Sequence, residues 1–322
     1  MQPENETRTI STTEKIVLRS LQNRRNISIK SSLETETYSY RQYLRIIDQL
    51  VEKSIITGWI PVFHPFAGEY KKLVWFFLRT NPRDPQDLAY LHSLGGQLLS
   101  LDGIAGPYSL LALMQFSSDQ EFNNSLASID NRFSIPNPVY HNIRYQWLEI
   151  IAFYKYNGFP IPSENISHVV NELEIKNAFF NVGIQRNRPP TLDELSDQLK
   201  LAPSTLQKQL KQLEKSNSLL GYSISISQYL QPEVKAIIQF QIQPKDYVQV
   251  QSFLTEDPHI SLLCKIQKES FNLLAVIYTQ SVQVLNEWLT SLYDIEGILD
   301  TLTTIVLKNE HLRTGNETFP IL

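Results

Sequence analysis

The chain has 322 residues, a net charge of −4 and 42% hydrophobic residues, which excludes a mainly disordered chain and fits two or more domains. The single cysteine, Cys264, excludes an intrachain disulfide and a cysteine-rich zinc site, and it favours a reducing cytoplasm. The N-terminus is polar, unlike a signal peptide, and the apolar runs are too short to span a bilayer. We therefore expect a cytoplasmic protein without a membrane partner.

The first sixty residues predict short helices followed by an extended segment. Apolar residues at helical spacing mark a first helix that begins at Ser11 or Thr12, and a longer helix that begins after Ser39, a good N-cap residue. A short segment at 28–34 lies between them. Because a tight turn between the last two of three helices is typical of a helix-turn-helix, we predict this fold over 10–63, with 55–63 as its wing.

Residues 70–156 predict a sheet with two helices. The expected order is strand 73–78, helix 85–94, strands 98–104 and 109–116, helix 119–129 and strand 147–154. This βαββαβ order is typical of a ferredoxin-like α+β domain, in which two helices cover one face of an antiparallel sheet. The other face needs a cover, which a second sheet of the same kind would supply.

Much of the second half of the chain matches the first at one offset, and the register slips by about ten residues near the end of the first copy. Leu50–Ser54 aligns with Leu213–Asn217, Gly58-Trp59 with Gly221-Tyr222, and 108–112 with 271–275. We infer a tandem duplication, because one offset aligns segments that are far apart. In this scheme 157–172 joins the copies, 173–228 is a second winged helix-turn-helix, and 233–309 is a second ferredoxin-like domain.

The second helix-turn-helix ends in Leu213-Glu214-Lys215-Ser216-Asn217-Ser218-Leu219-Leu220-Gly221-Tyr222, and residues 50–59 follow this pattern more loosely. With βαββαβ behind it, the pattern resembles the leucine-responsive regulator/AsnC (Lrp/AsnC) family of transcription factors over nearly the whole chain, twice. The resemblance implies a sequence-specific DNA-binding regulator made of two fused subunits. Their sheet domains would pair face to face and set the spacing of two DNA-binding heads. It also implies a small-molecule effector at the sheet domains and a homodimer of the fused chain.

Double-stranded DNA is the expected partner of the two helix-turn-helix segments. Basic residues outnumber acidic ones in both, although the whole chain is acidic. A recognition helix reads bases from its N-terminal part while flanking basic groups hold phosphates. The recognition-helix candidates are Tyr40, Arg41, Gln42 and Arg45 in the first copy and Ser204, Thr205, Gln207, Lys208 and Lys211 in the second. The candidate phosphate ligands are Arg24, Arg25, Lys30, Arg186, Arg188 and Lys200. Ordinary solvated helix faces are the alternative.

Two other functions stay open. Glu36 stands where the family has an apolar residue, and Ser109 stands where its sheet domain often has an acid, which motivates a ligand sensor or interaction module without DNA binding. The other is an enzyme similar to siroheme decarboxylases, which share this architecture. Those enzymes carry Arg-Arg-x-Gly-Ala followed by histidine, whereas this chain has Lys71-Lys72-Leu73-Val74-Trp75 and Val234-Lys235-Ala236-Ile237-Ile238.

The residue types predict no catalytic residue, no metal site and no cofactor. The histidines lack metal-ligand spacing, so we expect surface or turn positions for His64, His92, His141, His168, His259 and His311. Cys264 falls within an apolar strand and should be buried. We expect Trp75, Trp147 and Trp288 to be core residues. The sequence therefore predicts a regulator and not an enzyme.

Overall fold

A computed structural model describes residues 10–22, 24–25, 27, 38–67, 71–80, 85–94, 97–133, 145–161, 174–175, 178–179, 181–182, 190–227, 234–267 and 270–309. The predicted segment 28–34 lies outside the described residues, and so does most of the joining segment 157–172. The first residues of that joining segment form a tight turn and a short strand, β6 (Phe159–Pro160), which pairs with the strand before it.

Helices α1 (Thr12–Leu21) and α2 (Tyr40–Glu52) both begin at a capping box. Ser11 Oγ accepts a hydrogen bond from the Glu14 amide, and the Glu14 carboxylate accepts one from the Ser11 amide. Ser39 and Gln42 repeat this exchange. Each box satisfies amide groups that a helix start leaves unpaired. Both predicted helix starts are therefore confirmed.

Helices α5 (Leu192–Leu199) and α6 (Pro203–Lys215) are joined by a short turn at 200–202. Lys200 adopts the left-handed conformation (φ 54°) that ends many helices, and Pro203 occupies the first position of α6, where its missing N–H costs nothing. Leu195 of α5 and Leu206 and Leu210 of α6 are buried in one core. The two helices are thus held at a fixed angle by a small apolar cluster.

Strands β1 (Ile56–Phe63) and β7 (Leu219–Ile226) pair with each other in an antiparallel ribbon. We predicted an extended wing after each helix-turn-helix, and both strands are present, but their pairing with each other was not predicted. A single strand leaves its backbone groups unpaired, and the strand from the other half satisfies them. Phe63 packs into the core of α5 and α6, while Ile224 packs with α1 and α2. The ribbon therefore joins the two helical regions.

Eight strands close into a barrel. They are β2 (Lys72–Leu78), β3 (Gln97–Ile104), β4 (Leu110–Phe116), β5 (Tyr145–Tyr156), β8 (Val234–Ile242), β9 (Ile260–Gln267), β10 (Leu273–Thr279) and β11 (Ile298–Asn309). Their hydrogen-bonded order is β2-β4-β3-β11-β8-β10-β9-β5, and β5 pairs back with β2. We predicted two sheets that only face each other. The sheet edges also pair, at β3–β11 and β5–β9, because closure leaves no strand edge unsatisfied.

Four helices pack on the outside of this barrel. Helices α3 (Pro85–Ser93) and α4 (Asp119–Phe133) cover the side that includes Phe76, and α7 (Tyr247–Glu256) and α8 (Val282–Leu292) cover the side that includes Phe240. The strands are buried on both faces, which explains continuous apolar runs such as 73–78. No helix in the described ranges combines the length and the apolar composition that crossing a membrane requires.

A candidate functional site inside the barrel

A cavity of about 60 Å3, partly open to solvent, lies inside the barrel. The first half of the chain contributes Trp75, Ser100 and Leu113 to its lining, and the second half contributes Lys235 and Tyr278. Its other lining residues are Leu99, Tyr156, Asn157, Ser261, Leu262 and Val276. An eight-stranded barrel is just wide enough to be filled by side chains or to hold one small ligand. The side chains of this barrel therefore do not fill its interior completely, and the cavity is the unfilled part.

A buried ion pair forms part of the cavity wall. Lys235 Nζ on β8 donates to Asp102 Oδ2 on β3 at 2.8 Å, and the two side chains are 7% and 3% exposed. Burying an unpaired charge costs several kcal/mol, so each of the two groups makes burial of the other tolerable. The pair connects the two halves of the chain and fixes an ammonium group beside the cavity.

Two further polar groups line the cavity without a partner. Among the described residues, neither Trp75 Nε1 nor Ser100 Oγ forms a hydrogen bond. Both residues are register partners of Leu113 on β4, so they lie on either side of it on one wall of the barrel. The sequence predicted Trp75 as a core residue, and it is 2% exposed. Its unpaired indole N–H could not have been predicted, because it depends on which strands the barrel brings together.

A second polar cluster surrounds Asp257, and its members are not among the residues that line the cavity. Lys155 Nζ donates to the Asp257 carbonyl oxygen at 2.7 Å. The pKa of Lys155 is lowered, because the effect of burial is larger than the opposing effect of the Asp257 charge. The Asp257 carboxylate accepts from Trp288 Nε1 at 2.6 Å and lies 3.1 Å from His259 Nδ1. Sequence analysis missed this cluster, because its members come from three separate elements. Within the described ranges, no group of three His, Cys, Asp or Glu side chains could hold a metal ion.

His64 begins a turn, one of the two expected positions, because its carbonyl oxygen accepts a hydrogen bond from the Ala67 amide at 2.9 Å, and its side chain is buried there. Its ring is 3% exposed and packs near the rings of Phe66 and Phe153. Nδ1 accepts a hydrogen bond from the Phe66 amide at 3.0 Å, so the neutral ring carries its proton on Nε2. Burial lowers the pKa of His64 from 6.5 to about 4. The side chains of the other predicted surface histidines, except His259, lie outside the described residues.

The depressed pKa of His64 predicts acid sensitivity. Between pH 6.5 and about 4 the unfolded chain binds a proton at His64 that the folded chain does not, so stability falls as pH falls. We expect His64→Asn, whose amide oxygen can replace Nδ1 as acceptor, to remove about 2 kcal/mol of this loss. Urea unfolding of wild type and His64→Asn at pH 7 and pH 4.5 measures how much stability each protein loses between the two pH values. Equal pH dependence in the two proteins would contradict the assignment.

The predicted DNA-binding residues that the structure describes lie mostly on the surface. Exposed residues are Arg25, Tyr40, Arg41, Gln42, Arg45, Lys200, Ser204, Thr205, Gln207, Lys208 and Lys211. The Gln42 amide oxygen is occupied by the Ser39 cap. Lys30, Arg186 and Arg188 lie outside the described residues. The structure thus places an exposed basic surface at the start of α2 and another at the start of α6.

Arg24 is the exception, because it lies in the interior and cannot hold a phosphate. Its side chain is 5% exposed, and its guanidinium donates to the carbonyl oxygens of Leu21 and Ile27. The guanidinium also lies 5.6 Å from the Trp59 ring, and burial lowers its pKa to about 10. Its backbone pairs with Tyr222 on β7. Arg24 therefore connects α1 to the ribbon.

Comparison with solved structures gives a match along the whole chain. The siroheme decarboxylase NirDL aligns with a TM-score of 0.62 and 12% identity, over 92% of this chain and 91% of that one. The same enzyme in complex with an iron-uroporphyrin III analogue aligns with a TM-score of 0.61, 11% identity and the same coverage. AsnC from E. coli aligns with a TM-score of 0.37 and 21% identity, over 46% of this chain and 98% of its own. Neither a protein-family model nor a curated protein sequence matches the chain.

These matches correct one expectation. The prediction that the chain is not an enzyme is wrong, because the full-length structural match is to an enzyme. Structural neighbours do include Lrp/AsnC regulators, but each covers less than half of the chain. The fold itself is established as a mixed α/β chain with an eight-stranded barrel.

Proposed function

We propose that this protein is an enzyme that acts on a carboxylated tetrapyrrole, with a structure of the siroheme decarboxylase type. The observation that carries the proposal is the alignment with NirDL along nine-tenths of both chains, which includes both halves and the barrel between them. At 12% identity this alignment speaks for the fold, so the chemistry has to be argued from the residues of this chain.

The cavity is suited to one carboxylate and not to a macrocycle. A cavity of about 60 Å3 holds only a few heavy atoms, since an engineered cavity of about 150 Å3 holds a single benzene ring. The macrocycle would therefore remain outside the enclosed space, and one acidic arm would enter it. Lys235 supplies the ammonium group there, and the mouth residues Tyr156 and Asn157 are only half-buried.

Of the lysines that stand where the decarboxylase pattern has arginines, Lys235 of the second copy lines this cavity, whereas Lys71 and Lys72 of the first copy do not. Lys72 forms ion pairs with Glu149 at 2.8 Å and Asp119 at 3.1 Å, and its ammonium lies 4.8 Å from the Phe122 ring on the α4 side of the barrel. Lys71 is exposed. If the chain binds a tetrapyrrole, we therefore expect Lys235 and the cavity to contact it, and residues 71 and 72 not to.

Titration of iron-uroporphyrin III with the purified protein tests this proposal by its visible absorption. We expect saturable binding of one tetrapyrrole per chain, and incubation with siroheme should release carbon dioxide, seen as mass loss from the product. The double variant Lys235→Met/Asp102→Leu keeps the barrel filled while removing the ammonium, and it should bind more weakly. If wild-type protein left the absorption spectrum of iron-uroporphyrin III unchanged, the proposal of tetrapyrrole binding would be refuted.

A second function, DNA contact through the helical regions, is favoured by the exposure of the first turns of α6. Ser204, Thr205, Gln207, Lys208 and Lys211 are all exposed, while Leu206 and Leu210 anchor the helix from the other side. An exposed N-terminal half with lysines behind it is the arrangement that major-groove binding requires. We propose that the two halves are fused copies of one DNA-binding unit, and such contact is compatible with an enzyme in the barrel.

Lysine removal on α6 gives a direct measure of DNA contact. We expect Lys208→Ala/Lys211→Ala to weaken binding to duplex DNA and to reduce the slope of log affinity against log salt by about 0.9 for each phosphate that is no longer neutralised. Fluorescence anisotropy at several salt concentrations measures both, with the exposed, distant Lys245→Ala as the control. Arg41→Ala/Arg45→Ala tests α2 in the same way. Identical slopes for wild type and the lysine variant would exclude α6 from the interface.

A further inference from the structure

The cavity contains two hydrogen-bonding groups that the described part of the protein does not satisfy. The indole N–H of Trp75 can only donate, whereas the Ser100 hydroxyl can donate or accept. These side chains are 2% and 5% exposed, and both line the cavity. Buried polar groups in native proteins are rarely left unpaired, because each costs free energy comparable to a lost hydrogen bond. Two such groups in one cavity indicate a polar occupant.

The chemistry of the lining restricts that occupant. Trp75 requires an acceptor atom, and Ser100 can donate to a second one. The ammonium group of Lys235 lines the cavity and attracts the acceptor oxygens of an occupant, while the Asp102 carboxylate offsets much of its charge. A carboxylate combines two acceptor oxygens with one negative charge. The volume of about 60 Å3 limits the group to about the size of acetate and excludes an aromatic ring.

We propose that the cavity is a binding pocket for a small carboxylate, with Trp75 Nε1 and Ser100 Oγ as its hydrogen-bond donors. The two donors come from β2 and β3, while Lys235 comes from β8, so the pocket needs both halves of the chain. The carboxylate belongs either to a free acid of acetate size or to an arm of a larger substrate. Only the second source rests on the proposed function.

Calorimetric titration with sodium acetate, at an ionic strength kept constant with sodium chloride, tests the pocket. We expect binding to wild type, and about tenfold weaker binding to Trp75→Phe and to Ser100→Ala, since a hydrogen bond to a charged group contributes roughly that factor. Trp147→Phe is the matched control, because Trp147 packs 5.2 Å from Phe122 on the α4 side of the barrel.

The outcomes separate the pocket from the tetrapyrrole proposal. Acetate that binds wild type no better than chloride, or binds Trp75→Phe as tightly as wild type, would overturn the pocket and leave water as its occupant. Ser100→Ala gives the same test if Trp75→Phe does not fold. Acetate binding without any binding of iron-uroporphyrin III would support the pocket and reject the tetrapyrrole. Competition between the two would support the pocket and identify an acidic arm as the source of the carboxylate.

Discussion

Lys235→Met should destabilise the protein by about 3–5 kcal/mol, because it removes the ammonium that pairs with the buried Asp102 carboxylate. Methionine has nearly the shape of lysine without the charge, so packing changes little. Lys235 Nζ is 2.8 Å from Asp102 Oδ2, and both side chains are less than one-tenth exposed. The free energy of unfolding in urea measures the effect. An unchanged slope of that free energy against urea concentration would show that the fold is retained.

The double variant Lys235→Met/Asp102→Leu should recover most of this loss, since replacing a buried ion pair with apolar groups is often neutral or stabilising. Lys72→Met is the matched control. Its ammonium pairs with Glu149, which is 24% exposed, and with Asp119, which is 83% exposed, so water reaches both carboxylates and we expect a smaller loss than at Lys235. If both variants lost the same free energy of unfolding, burial would not explain the contribution of the Lys235–Asp102 pair.

Local sequence patterns predicted the elements of this fold well, because their causes are local. Ser11 and Ser39 cap their helices through residues three positions away, and Pro203 starts α6 through its own ring geometry. The strands were found from apolar runs such as 73–78, which reflect burial on two faces. Each of these signals is readable from a few consecutive residues.

The pairing of strands between the halves could not be read in the same way. The β1–β7 ribbon and the seams β3–β11 and β5–β9 join residues more than a hundred positions apart, and an apolar strand carries no mark of which edge it will meet. The site followed from those pairings. Lys235 and Asp102 are separated by 133 positions, so their contact could not be predicted from residue type or spacing. Arg24 was misassigned for the same reason, since its burial depends on the ribbon.

Gly221→Ala should destabilise the protein by about 3 kcal/mol, because the ribbon leaves no room for a side chain there. A Cβ at Gly221 would lie 2.4 Å from the Arg24 carbonyl oxygen and 2.5 Å from Phe159 Cε1. The first contact is to backbone that hydrogen-bonds the Tyr222 amide at 2.7 Å, so relief requires the end of α1 and β7 to separate. Urea unfolding measures the loss.

Gly58→Ala is the control, because Gly58 lies on β1, the partner strand of the same ribbon, and aligns with Gly221 in the sequence. A Cβ there would meet only Ser225 Cβ, at 3.5 Å, which is ordinary contact. We expect a change within about 1 kcal/mol, with stabilisation favoured because alanine restricts the unfolded chain. A large loss at Gly221 and none at Gly58 would establish that the two halves of the ribbon are not equivalent. The close approach of Arg24 and Phe159 to one strand alone would then be what fixes α1 against the ribbon. Similar losses at both positions would instead place the constraint in the strands themselves.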